Sequence, residues 1–244
     1  FGGFGFSAES NFFGAWVPGA LTLEYPPGIG RIVPAGSDVL LQMHYGPSPI
    51  EESDQTEINV FFSEEPIERE VETGIMGPQH LDEPFYLPAN QLRTFQGSMQ
   101  VAADVSLLSV APHCHLIGSS WEVFATSPSN QDTIPLISIP SWDFNWQGLF
   151  TFPTLTKIPS GYTLHGIASY DNTSSNPFNP NDPPQNVTFG EGTTDEMFFV
   201  FFDYVLYQEG DELISLAPSD EPTCASDVND DGVISVGAVS YTHL

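Results

Sequence analysis

Short apolar runs, each stopped by turn residues, set the limits on what this chain can fold into. It carries 22 Pro and 21 Gly, and no segment combines a 3.6-residue apolar period with helix caps. Proline removes a backbone donor and glycine favours turns, so chain punctuated this densely is confined to short extended pieces. The runs Asp38–Tyr45, Thr56–Phe62, Gln100–Val110, Trp121–Thr126, Ile134–Ile139, Tyr162–Tyr170 and Glu196–Tyr207 are expected as strands. Several are β-branched or aromatic, as a pleated, half-buried surface favours. Many short strands with Pro/Gly turns predict an all-β sandwich.

There is material for a core. Hydrophobic residues are 40% and aromatics 13%, with 19 Phe, enough apolar area to offset chain entropy. The charge balance is one-sided. Four Lys+Arg against 32 Asp+Glu give a net charge of −28. Such a chain cannot neutralise phosphates, which excludes nucleic-acid binding, and it offers no polybasic membrane contact. No apolar run approaches the ~20 residues of a membrane span. Two Cys cannot build a disulfide framework. An acidic, Lys-poor surface suits a secreted or halotolerant protein. The chain opens at Phe1 in a Gly/Phe-rich stretch and reads as a fragment.

Three stretches lack a hydrophobic face. "SEEPIEREVE" (Ser63–Glu72) reads as a linker or solvated edge. "NTSSNPFNPNDPPQN" (Asn172–Asn186) is a long polar loop, and loops of that length are usually functional or mobile. From Gln208 the chain turns acidic and Pro-containing, as a second linker would.

The sharpest chemical signal is "APHCHLIG". His113 and His115 stand at i, i+2 at the end of an expected strand, so both imidazoles project to one face while Cys114 points to the other. That is a two-ligand metal half-site or a packed pair, and H-x-H spacing alone does not decide between them. In "TTDEMFFVFFDY", Met197 opens a hydrophobic strand. A thioether beside two imidazoles would select copper, Cu(I) above all; by spacing alone Met197 reads as an ordinary core filler. His44 ends the run "SDVLLQMHYGPSP". His80 and His165 have no ligand-type neighbours and read as structural. The acid pairs Asp195/Glu196 and Glu51/Glu52 read as chance neighbours in so acidic a chain. There is no G-x-S-x-G, phosphate-binding glycine loop or H-E-x-x-H.

Taken together, "AWVPG", "IVPAGSDVLLQMHYGP", "APHCHLIG", "IPSWDFNWQGLFTF", "IPSGYTL", "YDNTSSNPFNPNDPP" and "GEGTTDEMFF" resemble the copper type II, ascorbate-dependent monooxygenases. That is the family of dopamine β-monooxygenase and the peptidylglycine hydroxylating enzyme, here in the order and spacing of its bacterial branch. The resemblance runs over roughly residues 10–207. It implies two antiparallel jelly-roll-like β-sandwiches, each contributing one copper. Residues 1–65 would be the end of the first and residues 66–208 the complete second. The catalytic copper would take His113, His115 and Met197. The electron-transfer copper would take His44, with Gln42 near it and a further His pair supplied upstream. The implied reaction is hydroxylation of a C–H bond in a small organic substrate, with O2 as oxidant and ascorbate as reductant. Two positions depart from the peptide-processing member. Its substrate-anchoring Arg is Ala111 here, and its substrate-side Tyr is Phe201. Its second-domain disulfides have no counterpart in Cys114 and Cys224. The implied pocket is therefore more apolar.

After an acidic linker (209–225), "SDVNDDGVIS" is similar to a dockerin or EF-hand calcium loop. Asp227, Asn229 and Asp231 would ligate, with the Val233 carbonyl and Ser235, and Gly232 at the sharp turn. Position twelve of that loop is Ala238 where an acid is expected, so residues 226–236 read as a truncated remnant. Residues 237–244 read as a non-native tail. A calcium module behind a β-sandwich implies an extracellular or surface-linked bacterial protein, attached to a cell surface or scaffold. The expected function is thus a copper monooxygenase, inactive as a fragment. The alternatives are a non-catalytic copper-binding sandwich and a recognition module with a structural His pair.

Overall fold

The computed structural model describes residues 12–17, 24–43, 45 and 49–217. Their strands are β1 (Ile29–Gly30), β2 (Arg69–Glu70), β3 (Glu72–Met76), β4 (Tyr86–Leu87), β5 (Gln91–Gln100), β6 (Val105–His113), β7 (Gly118–Thr126), β8 (Thr133–Ile139), β9 (Phe150–Ile158), β10 (Thr163–Asn172), β11 (Val187–Thr188) and β12 (Phe199–Leu206). Two four-stranded antiparallel sheets, β5-β10-β7-β8 and β3-β12-β6-β9, form the body. No α-helix occurs among the described residues. The expected all-β, antiparallel sandwich-like architecture is therefore present.

Alternation builds the core. Along β10, Leu164, Gly166, Ala168 and Tyr170 are buried while the residues that alternate with them are more open, the period of two that a strand imposes. They meet Trp121, Val123 and Ala125 of β7 and Val200 and Phe202 of β12 in one cluster. Full burial of one such apolar side chain is worth about 1.5–3 kcal/mol. The cross-strand pair Gly97 and Gly166 makes the room for Phe198. A Cβ on Gly97 would stand 3.0 Å from that ring and 3.1 Å from the Met76 sulfur.

A smaller cluster of Ile29, Val71, Leu108, Leu155 and Val205, with Tyr25, Ile214 and Leu216, packs apart from the main core. Two ion pairs fasten the chain around it. Arg31 reaches Asp203 at 2.7 Å, Thr73 Oγ1 at 2.8 Å and the Tyr25 hydroxyl at 2.9 Å. Arg69 grips both oxygens of the buried Asp211 at 2.7 Å each. The parallel pairing of β1 with β2 and the Asp211 anchor thus draw residues from both expected linkers onto the sandwich.

Several elements differ from expectation. Asp38–Tyr45 and Thr56–Phe62 contain no strand among their described residues; Leu40 is 81% and Phe62 78% exposed. An apolar run becomes a strand only where a neighbouring strand takes its backbone bonds, and none of the sheets among the described residues includes a strand from these runs. The run expected as one strand over Gln100–Val110 divides at a turn, where the Val101 N–H donates to the Tyr162 carbonyl and Gly161 donates to the Val101 carbonyl. Strands β5 and β9 were not expected. In β5, polar side chains alternate with buried Phe95 and Gly97. In β9, Pro153 sits beside a register shift in the β6 pairing, a place where proline is tolerated.

Candidate metal centre

Strand β6 ends at His113, which pairs with Phe199 on β12. Residues directly opposite in an antiparallel pair share a face. The same face carries Ala111 opposite Phe201. Phe199 and Phe201 stack with ring centroids 5.9 Å apart, and Phe12 lies 5.7 Å from Phe201. Cys114 turns the other way, as the two-residue period requires. It is fully buried, and the Trp121 indole N–H donates to its sulfur at 3.1 Å. Burial, reinforced by the charge of Glu196, pushes its thiol well above the ordinary range, so Cys114 is not a thiolate nucleophile.

The two imidazoles approach edge to face, with centroids 5.3 Å apart. Each has its Nδ1 tied to an oxygen. The His115 Nδ1 lies 3.0 Å from the Asp195 carbonyl oxygen. A carbonyl only accepts, so Nδ1 carries the proton and Nε2 the lone pair. The His113 Nδ1 lies 2.6 Å from Gln147 Oε1. The Gln147 amide donates from Nε2 to the Phe144 carbonyl at 2.8 Å, which turns its oxygen toward His113 and sets the same tautomer. An imidazole whose distal N–H is held by a protein oxygen is the arrangement found behind metal-ligating histidines.

The segment bearing Met197 is bound to this pair. Glu196 is fully buried. Its carboxylate accepts the backbone N–H of His115 at 2.7 Å, Ile117 at 2.9 Å and Met197 at 3.0 Å. Burial raises its pKa to about 7, against the pull of those N–H groups. Counting back two residues from the Phe199–His113 pair puts Met197 level with His115. Met197 is buried, yet it belongs to neither hydrophobic cluster. The structure thus brings together His113, His115 and the chain around Met197, some eighty residues apart in sequence.

The turn itself is tightly packed. A Cβ on Gly118 would fall 2.2 Å from the Cys114 sulfur. The Trp142 indole donates to the His115 carbonyl at 3.1 Å, and Phe144 meets the His115 ring edge to face at 6.0 Å. Among the described residues, no group of three or more His, Cys, Asp or Glu is placed to hold a metal ion. A metal here would need donors beyond those four residue types, and a thioether is one.

His44 lies outside the described residues, as do Asp227, Asn229, Asp231, Val233 and Ser235 of the expected calcium loop. Gln42 is exposed. His80 and His165 have local roles. The His80 ring accepts the Gly77 N–H at 3.1 Å, and His165 Nε2 lies 2.9 Å from the Thr126 hydroxyl. Sequence reasoning missed Glu196, Gln147 and the Asp195 carbonyl. The available signal for Glu196 was an acid abutting the apolar run "MFFVFF", where a charge must find buried donors. No family model matches the chain, and no curated protein is significantly similar to it.

Proposed function

We propose that this chain is the catalytic-copper part of a secreted, copper type II, ascorbate-dependent monooxygenase, with His113, His115 and Met197 as ligands. The observation that carries the reading is the pair of Nδ1 anchors, Gln147 Oε1 on His113 and the Asp195 carbonyl on His115. Both present Nε2 as the donor atom. Two imidazoles with a thioether form a donor set suited to Cu(I). A bound copper would supply the one-electron and O2 chemistry that side chains lack.

The chain's own contribution is placement. Gln147 and Asp195 fix the two rings, Glu196 ties the His115 and Ile117 backbone to the segment that carries Met197, and Phe144 shields His115. On this reading the sandwich is the jelly-roll-like second domain of the family. His44 would serve a second copper with ligands from elsewhere, and the tail loop would take calcium. The test is a Cu(I) titration of the chain against a competing chelator, for wild type, His113→Ala and Met197→Ile. The expected result is one tight site, weakened at least tenfold by either substitution. An affinity unchanged in Met197→Ile removes Met197 from the ligand set.

A further inference from the structure

Oxidisable side chains crowd the proposed ligands from the core side. The Trp142 indole donates to the His115 carbonyl at 3.1 Å, and the Tyr170 hydroxyl donates to the Met197 carbonyl at 2.8 Å. Cys114 lies between the two histidines in sequence, and its sulfur takes the Trp121 N–H. These groups converge on Gly118. Tyr170 pairs with it across the sheet, and a Cβ there would stand 2.2 Å from the Cys114 sulfur and 3.1 Å from Trp142 Cδ1. Cys114, Trp121 and Tyr170 are fully buried, and Trp142 is 7% exposed. Holding a metal requires none of the four.

Proton chemistry separates them. A phenol or a thiol must shed its proton to give up an electron. The Tyr170 hydroxyl donates to a carbonyl, which carries no proton away, and burial holds both the Tyr170 hydroxyl and the Cys114 thiol well above their ordinary pKa. An indole loses an electron and keeps its N–H. The net charge of −28 favours a cation over an anion inside this chain. Trp142, one hydrogen bond from His115, is therefore the group best placed to give up an electron. Met197 needs such a donor, because a thioether beside O2 chemistry is oxidised to a sulfoxide and ceases to be a soft ligand. We propose that Trp142 is a renewable electron donor to the candidate centre, sparing Met197 when hydrogen peroxide reacts there without a substrate. This rests on the copper reading above. Hydrogen peroxide takes two electrons and two protons to become two waters. One electron comes from the cuprous ion and one from the Trp142 indole, which remains as a protonated radical cation. A reductant of the ascorbate class returns both electrons and both protons.

The experiment titrates the chain with Cu(I), mixes the loaded chain with hydrogen peroxide, and follows it by rapid-freeze EPR and by peptide mapping in a mass spectrometer. The wild type should show a tryptophan radical, narrowed when the indoles are deuterated, and ring-oxidation products should accumulate on Trp142. Ascorbate should shorten the life of the radical. Trp142→Phe should abolish the signal and speed Met197 sulfoxide formation at least threefold. Trp146→Phe removes an indole that is 73% exposed and should change neither. Mapping of the wild type identifies the donor even if Trp142→Phe does not fold. In a chain that binds copper, the absence of a tryptophan radical, oxidation confined to Trp146, or sulfoxide formation unchanged in Trp142→Phe overturns the proposal and leaves the copper reading standing. A chain that binds no copper overturns that reading, and the proposal with it.

Discussion

The buried carboxylate of Glu196 accepts the backbone N–H of His115 at 2.7 Å, across a separation of 81 residues. Its other oxygen takes the Ile117 N–H. One side chain therefore ties the loop after β6 to the segment that opens β12. Replacing Glu196 with Gln turns an NH2 group toward at least one of these donors, and an unsatisfied buried donor costs about 1–3 kcal/mol. Glu196→Gln should lower unfolding stability in urea by about 2 kcal/mol and weaken Cu(I) binding. Unchanged copper affinity in a folded variant would show that the clamp does not position the ligands.

Gln147 anchors the His113 imidazole. Gln147→Leu keeps bulk but removes the oxygen 2.6 Å from His113 Nδ1. Loss of such an anchor typically costs about 10–100-fold in metal affinity. Titration of this variant should show a loss in that range with the far-UV spectrum intact.

Gly118 and Cys114 should be strongly coupled. Because an added Cβ at Gly118 would meet the Cys114 sulfur at 2.2 Å, Gly118→Ala should destabilise by about 1–3 kcal/mol, the range for overpacking. Removing the sulfur in Cys114→Ala should recover much of that loss in the double variant. A double-mutant cycle in urea checks this, and additive effects would contradict the packing described. The native Cys114 thiol should also resist alkylation at pH 8 until the chain unfolds.

Acid should loosen the Arg69–Asp211 anchor. Burial raises the Asp211 pKa, but the hydrogen bonds from Arg69, Ser106 and the Gln208 N–H outweigh it and leave the pKa below 3.8. The sign follows: a folded pKa below the unfolded one contributes stability that is present above pH ~3.8 and lost as pH falls through the folded value. Urea midpoints of wild type should drop on acidification below that pH, and Asp211→Asn should flatten this part of the profile. At neutral pH the substitution should destabilise by about 3 kcal/mol, as when a buried pair loses one partner. Identical profiles for both proteins would contradict the anchor.

What could be read beforehand follows from how local each signal is. Strands β7, β8, β10 and β12 announce themselves as apolar or aromatic runs. Strand β5 hides, because its outward residues are polar and a glycine occupies a core position. Asp38–Tyr45 and Thr56–Phe62 look like strands for the same reason that β12 does, but pairing partners are a non-local property. The His113-x-His115 spacing was legible, while Met197 joined it only through the family resemblance. The supports of these residues were not legible: a main-chain carbonyl at Asp195 leaves no mark on the sequence, and Gln147 lies 34 residues from the ring it orients.

The central claim is that the Met197 sulfur and the imidazoles of His113 and His115 hold one cuprous ion. X-ray absorption at the copper edge of the Cu(I)-loaded chain, compared with Met197→Ile, tests it most directly. The account requires a sulfur scatterer beside two imidazoles in the wild type and its disappearance in the variant. A wild-type spectrum with no sulfur scatterer, or one identical in the variant, would contradict it.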